Sequence, residues 1–376
     1  MADRLADTGT TNCLWGTLLI EELVRLGLRQ VVLAPGSRST PLTLAAARHP
    51  RLKVVVHYDE RGVGFAALGM ARASGLPVAV ICTSGSALAN LMPAVVEANL
   101  DAVPLLLLTA DRPPELRQVG ANQTMDQVNF FGQQVRWAAD FPCPGPGIPW
   151  SAMLGLTDEA WRHATTRPPG PVHLNLMLRE PLLPAPDQPL AGMRSPAAIL
   201  EHCAPLLPAR WLANDQPFWQ PTVLAAPPQP CDLATLVAGL QGRHGLLLVG
   251  KLETATERQA VVALAQHLQW PLFPDLLSGL RLGPDSPQRL AYADLLLLPG
   301  GPAHGWQPEL ILHLGGRFIA KRLLSYLDQS PAPRWQITAD PRRYDPQLRG
   351  GRAWCGPLAP ILDACREALP AANSPV

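Results

Sequence analysis

Lysine is nearly missing from this chain. Only Lys53, Lys251 and Lys321 stand among its 31 basic residues, and the rest are arginine, a bias that says more about coding composition than about function. A basic excess is missing as well. The 31 Lys and Arg face 30 Asp and Glu, for a net charge of +1, so the field that draws proteins onto nucleic acid or anionic membranes is absent. The longest apolar stretches, such as Val103 to Leu108, fall far below the ~18 residues that span a bilayer. The seven cysteines are scattered without a C-x-x-C or any pairing rhythm. This excludes a disulfide scaffold and fits a reducing, cytoplasmic setting. The opening MADRLAD lacks the charged-then-apolar layout of a secretory signal. Also absent are G-x-x-x-x-G-K-[ST], G-x-G-x-x-G, G-x-S-x-G and H-E-x-x-H, which excludes the commonest phosphate, dinucleotide, hydrolase and zinc-protease readings.

What the chain has in plenty is proline, 42 of 376 residues, against an ordinary share of about 5%. So many prolines call for extended connections between domains. The length suggests two or three domains at roughly 150 residues each, and 47% apolar with 16% charged residues marks a globular protein.

Short runs that are apolar throughout alternate with segments of helical spacing. The first helix is read from LWGTLLIEELVRLGL, Leu14 to Leu28. Strands follow at Val31–Ala34, Lys53–Tyr58, Val78–Thr83, Pro104–Thr109 and Val172–Leu176, with helices at Pro41–Arg48, Arg61–Ala73 and Ala87–Asn99 between the first four. Wholly apolar strands, each leading to a helix, signal a parallel sheet covered on both faces. This first block spans 1–183. Residues 184–230, rich in proline, read as an extended connection with little structure of its own. A second α/β block, 231–370, shows helices at Leu233–Leu240, Glu257–Gln269, Ala320–Tyr326 and Leu358–Leu369. Its strands are read at Gly245–Val249, Pro271–Phe273, Leu295–Leu298, Leu310–Leu314 and Trp335–Ala339. Residues 371–376 read as a frayed tail. The fold class is α/β, with two doubly wound parallel sheets.

Four polar clusters sit where first-block strands end, the edge at which open parallel sheets bind ligands. In APGSRST, Ser37, Ser39 and Thr40 can cap a helix, and Arg38 is a cation at an anion-friendly helix start. Capping alone would account for the pattern equally well. In HYDERG, a carboxylate at the end of a buried strand is desolvated and should hold its proton more tightly. The plainer reading has Asp59 capping the next helix and Glu60 pairing with Arg61. In TSGSALAN, Thr83, Ser84 and Gly85 offer hydroxyls and free N–H groups, with Asn90 beyond. In TADRPPEL and GANQ, Arg112 stands before two stiffening prolines and is a fixed anion anchor, followed by Asn122 and Gln123. In the second block, Lys321 and Arg322 open a helix, as an anion site or as a surface pair.

In order and spacing, APGSRSTPLTLAAA, DERGVGFAALGMA, TSGSALANLMPAVVEA, LTADRPPEL and GANQ resemble one branch of the thiamine-diphosphate enzymes. That branch is the 2-succinyl-5-enolpyruvyl-6-hydroxy-3-cyclohexene-1-carboxylate synthases of menaquinone and phylloquinone biosynthesis. The resemblance covers Asn12–Gln123, continues through GPVHLNLMLREPLLP and persists in AKRLL. It implies a pyrimidine-binding domain followed by a Rossmann-like middle domain. It implies a transferase that decarboxylates 2-oxoglutarate on thiamine diphosphate and adds the succinyl carbanion equivalent to isochorismate. By position in DERG, Glu60 matches the glutamate that hydrogen-bonds the aminopyrimidine and promotes its imino tautomer; the harder chemistry is the cofactor's. Thr83, Ser84, Gly85 and Asn90 fall on the pyrimidine pocket. Ser37, Arg38, Ser39, Arg112, Asn122, Gln123, Lys321 and Arg322 fall on substrate contacts. Two dicarboxylic substrates explain the need for fixed cations.

The same resemblance implies a third domain that binds the diphosphate through Mg2+ or Mn2+, with active sites shared between subunits of a homodimer or homotetramer. No G-D-G-like turn with following asparagines occurs here, so no metal ligand is expected in this chain, which looks truncated. The alternatives are a non-catalytic or split subunit docking to a separate diphosphate-binding chain, or another branch such as an acetohydroxyacid synthase. The second is disfavoured because a monocarboxylate would not need both the RSTP loop and Arg112.

Overall fold

The structure is a computed structural model. It describes residues 7–145, 147–219, 230–282, 286–290, 292–348 and 350–370. The chain divides into two units, Met1–Thr222 and Val223–Val376.

In the first unit, α1 (Thr8–Leu26) starts at Asp7, whose carboxylate accepts a hydrogen bond from the Thr10 N–H at 2.8 Å, and stops at Gly27, φ +123°. It begins earlier than its apolar spacing indicates, because its polar first turn is also buried. Asn12 Nδ2 donates there to the carbonyls of Arg179 at 2.7 Å and Pro181 at 3.1 Å. Then follow β1 (Gln30–Leu33), α2 (Thr40–Arg48), β2 (Lys53–Val56), α3 (Glu60–Ser74), β3 (Val78–Cys82), α4 (Ser86–Ala89), α5 (Met92–Asp101) and β4 (Leu105–Asp111). After them come β5 (Trp137–Phe141), α6 (Trp150–Thr165), β6 (Pro171–Met177), α7 (Pro196–Cys203) and α8 (Ala209–Leu212). The six strands form one parallel sheet in the order β2-β1-β3-β4-β6-β5.

Side chains alternate across this sheet. Val31, Leu33, Ala79, Ile81, Leu106 and Leu108 face one core with α1, α2 and α6. Val32, Val78, Val80, Leu105 and Leu107 face the other with α3 and α5. Both faces are thus dry, which is why these strands read as continuous apolar runs. The sequence reading missed β5 and α6. Strand β5 lies at the sheet edge and is only partly buried, so its residues carry a weak apolar signal.

The proline-rich stretch departs from expectation. In its described part it forms a 3-10 turn at Pro189–Gly192, then α7 and α8. Leu190, Ile199, Leu200, Cys203 and Trp211 are buried in the same core as α1. Prolines here start helices, with Pro196 at the first turn of α7, instead of extending a linker.

The second unit contains α9 (Pro230–Leu240), β7 (Gly245–Val249), α10 (Ala255–Leu268), β8 (Leu272–Pro274), α11 (Ala293–Leu296), β9 (Leu310–Leu314), α12 (Lys321–Gln329), β10 (Arg334–Thr338), β11 (Arg352–Cys355) and α13 (Leu358–Ala368). Its parallel sheet runs β11-β10-β9-β7-β8. The strand expected at Leu295–Leu298 is the helical turn α11 instead, with Leu295 55% exposed; a short leucine run does not distinguish strand from helix. Edge strand β11 was not anticipated, being mostly exposed. The expected tail, 371–376, lies outside the described residues. Among the described residues, no helix is long and apolar enough to cross a membrane.

Helices α1 and α2 approach closely through Gly16, where a Cβ would lie 2.9 Å from the Pro41 carbonyl oxygen. Gly16→Val should therefore push α2 off the sheet and destabilise the protein by about 1–3 kcal/mol. The check is urea denaturation beside the wild type; an unchanged midpoint would contradict this packing.

Candidate functional site

Strands β1 and β3 are neighbours, yet their following helices lie on opposite faces: α2 in the core with α1, and α4 leading to α5 in the other. The loops leaving two such strands part and open a crevice at the carboxyl edge of the sheet. One wall is Pro35–Ser39 and the other Thr83–Gly85. They touch at Gly36, where a Cβ would fall 2.4 Å from Thr83 Cβ, so only glycine allows this approach. Gly85 adopts φ +79°, ψ −146°, which is open to glycine alone. Ser39 takes the cap position of α2, but its hydroxyl does not cap. Its Oγ donates to the Gly36 carbonyl at 3.1 Å and tightens the loop. Ser37 is exposed, and its carbonyl accepts from Thr40 N at 3.0 Å and Thr40 Oγ1 at 2.6 Å.

Several candidate residues converge on Ser84. Arg112 Nη1 donates to Ser84 Oγ. Gln123 Nε2 donates to the Ser84 carbonyl at 3.0 Å, and Ser84 Oγ reaches the Gln123 carbonyl at 3.3 Å. Arg38 is buried; its Nη1 donates to the Leu178 carbonyl at 2.9 Å and its Nη2 to Glu180 Oε1 at 2.6 Å. Partial burial, and next the Arg38 guanidinium, pull the Arg112 guanidinium below its ordinary value. Two cations thus share one loop cluster, with Glu180 beside them, its side chain 68% exposed.

Beneath them runs a buried polar floor that sequence reasoning missed. Gly85 N–H donates to Gln127 Oε1 at 2.8 Å, and Gln127 Nε2 donates to Asn175 Oδ1 at 2.9 Å and to the Ala110 carbonyl at 3.1 Å. Asn175 Nδ2 donates to Asp111 Oδ2 at 2.9 Å and Asp140 Oδ1 at 2.8 Å. Asp111 also accepts from Arg117 Nη2 at 2.7 Å and from the Arg112 N–H at 2.7 Å. A signal was there: His173 and Asn175 interrupt an otherwise apolar strand at alternate positions, as residues on one face do.

Glu60 opens α3, at the end of edge strand β2. The premise of a buried strand does not hold within this chain: β2 is exposed or half-exposed, and Glu60 is half-exposed. The expected Glu60–Arg61 pair does not form either. Asp59 caps α3 by accepting from Arg61 N–H at 2.9 Å, and its carboxylate takes the Arg61 guanidinium at 2.9 Å, which holds Asp59 low, at about 2. The two-residue spacing wins because the cap fixes Asp59 beside Arg61. Among the described residues, the Glu60 carboxylate accepts no hydrogen bond and forms no ion pair. Burial, and next the Glu60 carboxylate, push the Cys82 thiol up, which puts Glu60 near the end of β3. His57 is structural: its Nδ1 meets the Asp59 N–H at 3.1 Å and its ring fills the space a Gly62 side chain would need.

Asn90 and Asn122 are exposed residues of the first unit. Asn90 ends α4, exposed, its Nδ2 donating to the Ser86 carbonyl at 3.1 Å. Asn122 is exposed beside Gln123, which has φ +55°. In the second unit, Lys321 and Arg322 are exposed at the start of α12. As adjacent residues on a helix they point in different directions, and Arg322 lines a cavity of about 220 Å³ with His304 and Tyr326. No cluster of three or more His, Cys, Asp or Glu suited to a metal ion occurs among the described residues.

A family model described as the N-terminal TPP binding domain of thiamine pyrophosphate enzymes matches residues 15–130. A second, described as the middle domain of thiamine pyrophosphate, matches residues 205–373. The chain belongs to the thiamine pyrophosphate enzymes. Its match to the second model begins within the proline-rich stretch, ahead of the sheet of the second unit. The chain is similar to a 2-succinyl-5-enolpyruvyl-6-hydroxy-3-cyclohexene-1-carboxylate synthase of Salinibacter ruber, 45% identical over 347 residues, which are 91% of this chain and 57% of that protein. Synthases of the same name from Rubrobacter xylanophilus and Aeromonas salmonicida are 44% and 42% identical, over 90% and 93% of this chain and 57% and 59% of theirs. The chain thus spans rather more than half the length of these curated relatives.

Asp111 is wholly buried, and removing it takes from Asn175 and Arg117 one of the two carboxylates they share, leaving Asp140, and takes the side-chain acceptor from the Arg112 N–H. Asp111→Ala should cost about 2–3 kcal/mol, read from chemical denaturation. A loss below about 0.5 kcal/mol, the range of an ordinary surface change, would show that the floor is not a stabilising unit.

Proposed function

We propose that this chain supplies the pyrimidine-facing half of a thiamine diphosphate site. The enzyme in which it acts decarboxylates 2-oxoglutarate and joins the resulting four-carbon unit to isochorismate, in menaquinone or phylloquinone biosynthesis. The observation that carries the reading is Glu60, a carboxylate without a hydrogen-bond or ion-pair partner among the described residues, at the same strand edge as the glycine-lined turn and the two arginines.

The residues fit the group. Glu60 is free to accept or donate a proton at a ring nitrogen, and the Gly36–Thr83 contact and Gly85 leave bare backbone beside it. When bound, thiamine diphosphate supplies the nucleophilic carbon and the electron sink for decarboxylation. Glu60 would hold a proton at the aminopyrimidine, with Thr83, Ser84, Gly85 and Asn90 lining the ring. Arg38 and Arg112 would hold substrate carboxylates, aided by Ser37, Ser39, Asn122 and Gln123; Lys321 and Arg322 of the second unit would also serve as substrate cations. A charge-assisted pair in a half-buried loop is stronger and more directional than one in open water, which suits dicarboxylates. The diphosphate and its Mg2+ or Mn2+ would be held by a further domain, with sites shared between copies in a homodimer or homotetramer in the cytoplasm. Among the described residues the cysteines are free thiols, in keeping with a reducing compartment.

Glu60→Gln in the holoenzyme that contains this chain should lower CO2 release from 2-oxoglutarate by roughly a hundredfold or more, since an amide cannot exchange the proton. Turnover within a few-fold of wild type would overturn the role. Glu180 bears on the same loops. It bonds Arg38 where a substrate carboxylate would, and it is mostly exposed, so it is displaced at little cost. Glu180→Gln should lower KM for the carboxylic substrates roughly two- to fivefold, measured by steady-state kinetics. A raised KM would mean that Glu180 positions Arg38 instead of competing for it.

A further inference from the structure

A pair of acids far from these loops has no part in that reading. Glu22 on α1 and Asp158 on α6 are both buried, 0% and 2% exposed, and they hydrogen-bond each other. Two carboxyl groups form such a bond only if one of them carries a proton. Asp158 Oδ1 is buried with no other donor or acceptor in reach.

The remaining oxygens hold one short segment. Glu22 Oε2 accepts from the Trp211 indole N–H, and Glu22 Oε1 from the Phe218 backbone N–H at 2.7 Å. Asp158 Oδ2 accepts from the Trp219 backbone N–H at 2.9 Å. These contacts draw residues 211–219, the last described stretch of the first unit, against α1 and α6. Trp211 is also buried in the core with α1, whereas Phe218 and Trp219 at the outer end are 40% and 50% exposed, so there the two acids are the main hold.

We propose that Glu22 and Asp158 share a single proton and act as an alkaline-released latch on residues 211–219. Losing that proton leaves two anions side by side in a dry site, and separation of the segment, which lets water in, is the way to relieve them. The chain leading into the second unit would then be freed over those residues.

The surrounding charges do not substitute for the proton. Arg25, also on α1, lies with its guanidinium 3.8 Å over the Trp211 ring and donates to the carbonyls of Trp211 at 2.7 Å and Gln216 at 3.3 Å. Its own acid is Glu21 at 2.9 Å, which also takes His49 at 2.9 Å and Arg51 at 3.0 Å from the end of α2. On α6, Glu159 is matched by Arg162 and, at 3.0 Å, by His163. On α7, which packs against α1, Glu201 is exposed and His202 half-exposed. Burial, and next the bond to Glu22, push the Asp158 carboxyl up to about 9. A carboxyl raised above its unfolded value gives stability that is full below about pH 4 and is lost as pH rises through about 9.

The experiment is amide hydrogen exchange of the whole chain from about pH 6 to about pH 10.5, expressed as protection relative to each amide's intrinsic rate. Protection of the Phe218 and Trp219 amides should fall by up to about tenfold per pH unit as pH rises from about 6 to about 9 and level off above that, while amides of β3 and β4 stay protected. Asp158→Asn keeps an acceptor for Trp219 and carries a permanent donor for Glu22, so its protection should persist across the range; Glu22→Gln should do the same from the other side. Wild-type protection at 218 and 219 that is flat to about pH 10.5 would overturn the latch, as would its loss together with the strand amides. Loss at the same pH in a folded Asp158→Asn protein would also overturn it.

Discussion

The bonding around Asp111 is the constraint on which the site depends. This carboxylate ends the central strand β4 with no exposure to solvent, so each of its lone pairs must be answered inside the protein. It is answered by Asn175 from β6, by Arg117 from the loop beyond and by the amide of Arg112. Through Asn175 and Gln127 the same bonding reaches Gly85 at the end of β3. The turn after one strand and the arginine after the next are therefore held by a common buried group, and their separation is set from below instead of by solvent-exposed loop contacts. A parallel sheet covered on both faces leaves only its strand ends to meet a ligand. The floor makes those ends rigid.

On that floor, charge is arranged against itself. Arg38 and Arg112 lie close enough for each to feel the other, and Arg38 is buried. Like charges held together in a half-dry place favour an incoming anion; of the carboxylates near them, Asp111 is committed to the floor and Glu180 is tied by a contact that solvent weakens. The Glu60 carboxylate, by contrast, has no partner among the described residues, because Asp59 takes both the cap and Arg61. One residue earlier in the chain absorbs the local electrostatics, and Glu60 remains available.

Much of this was legible in the sequence, for physical reasons that can be named. Strands buried on both faces advertise themselves as apolar runs, so β1, β3, β4, β6, β7 and β9 were read where they occur. Edge strands β5 and β11 were not, since half their residues face outward and the run is broken. Proline content misled: Pro196 begins a helix, and Trp211 belongs to the core of the first unit, because composition reports backbone restriction and not what a segment packs upon. The loop motifs pointed to Arg38, Ser84, Arg112 and Gln123, which do converge. The polar floor was only faintly marked, by His173 and Asn175 in an apolar strand, since Gln127 and Asn175 act through partners that are distant in sequence. Acid pairs such as Glu22 and Asp158 are invisible for the same reason.

The most direct measurement is a crystal structure of the holoenzyme containing this chain with thiamine diphosphate bound. The account requires the Glu60 carboxylate to lie within about 3 Å of an aminopyrimidine nitrogen, with the ring seated against Thr83–Gly85. A ring held by other groups, with Glu60 turned to solvent, would contradict it.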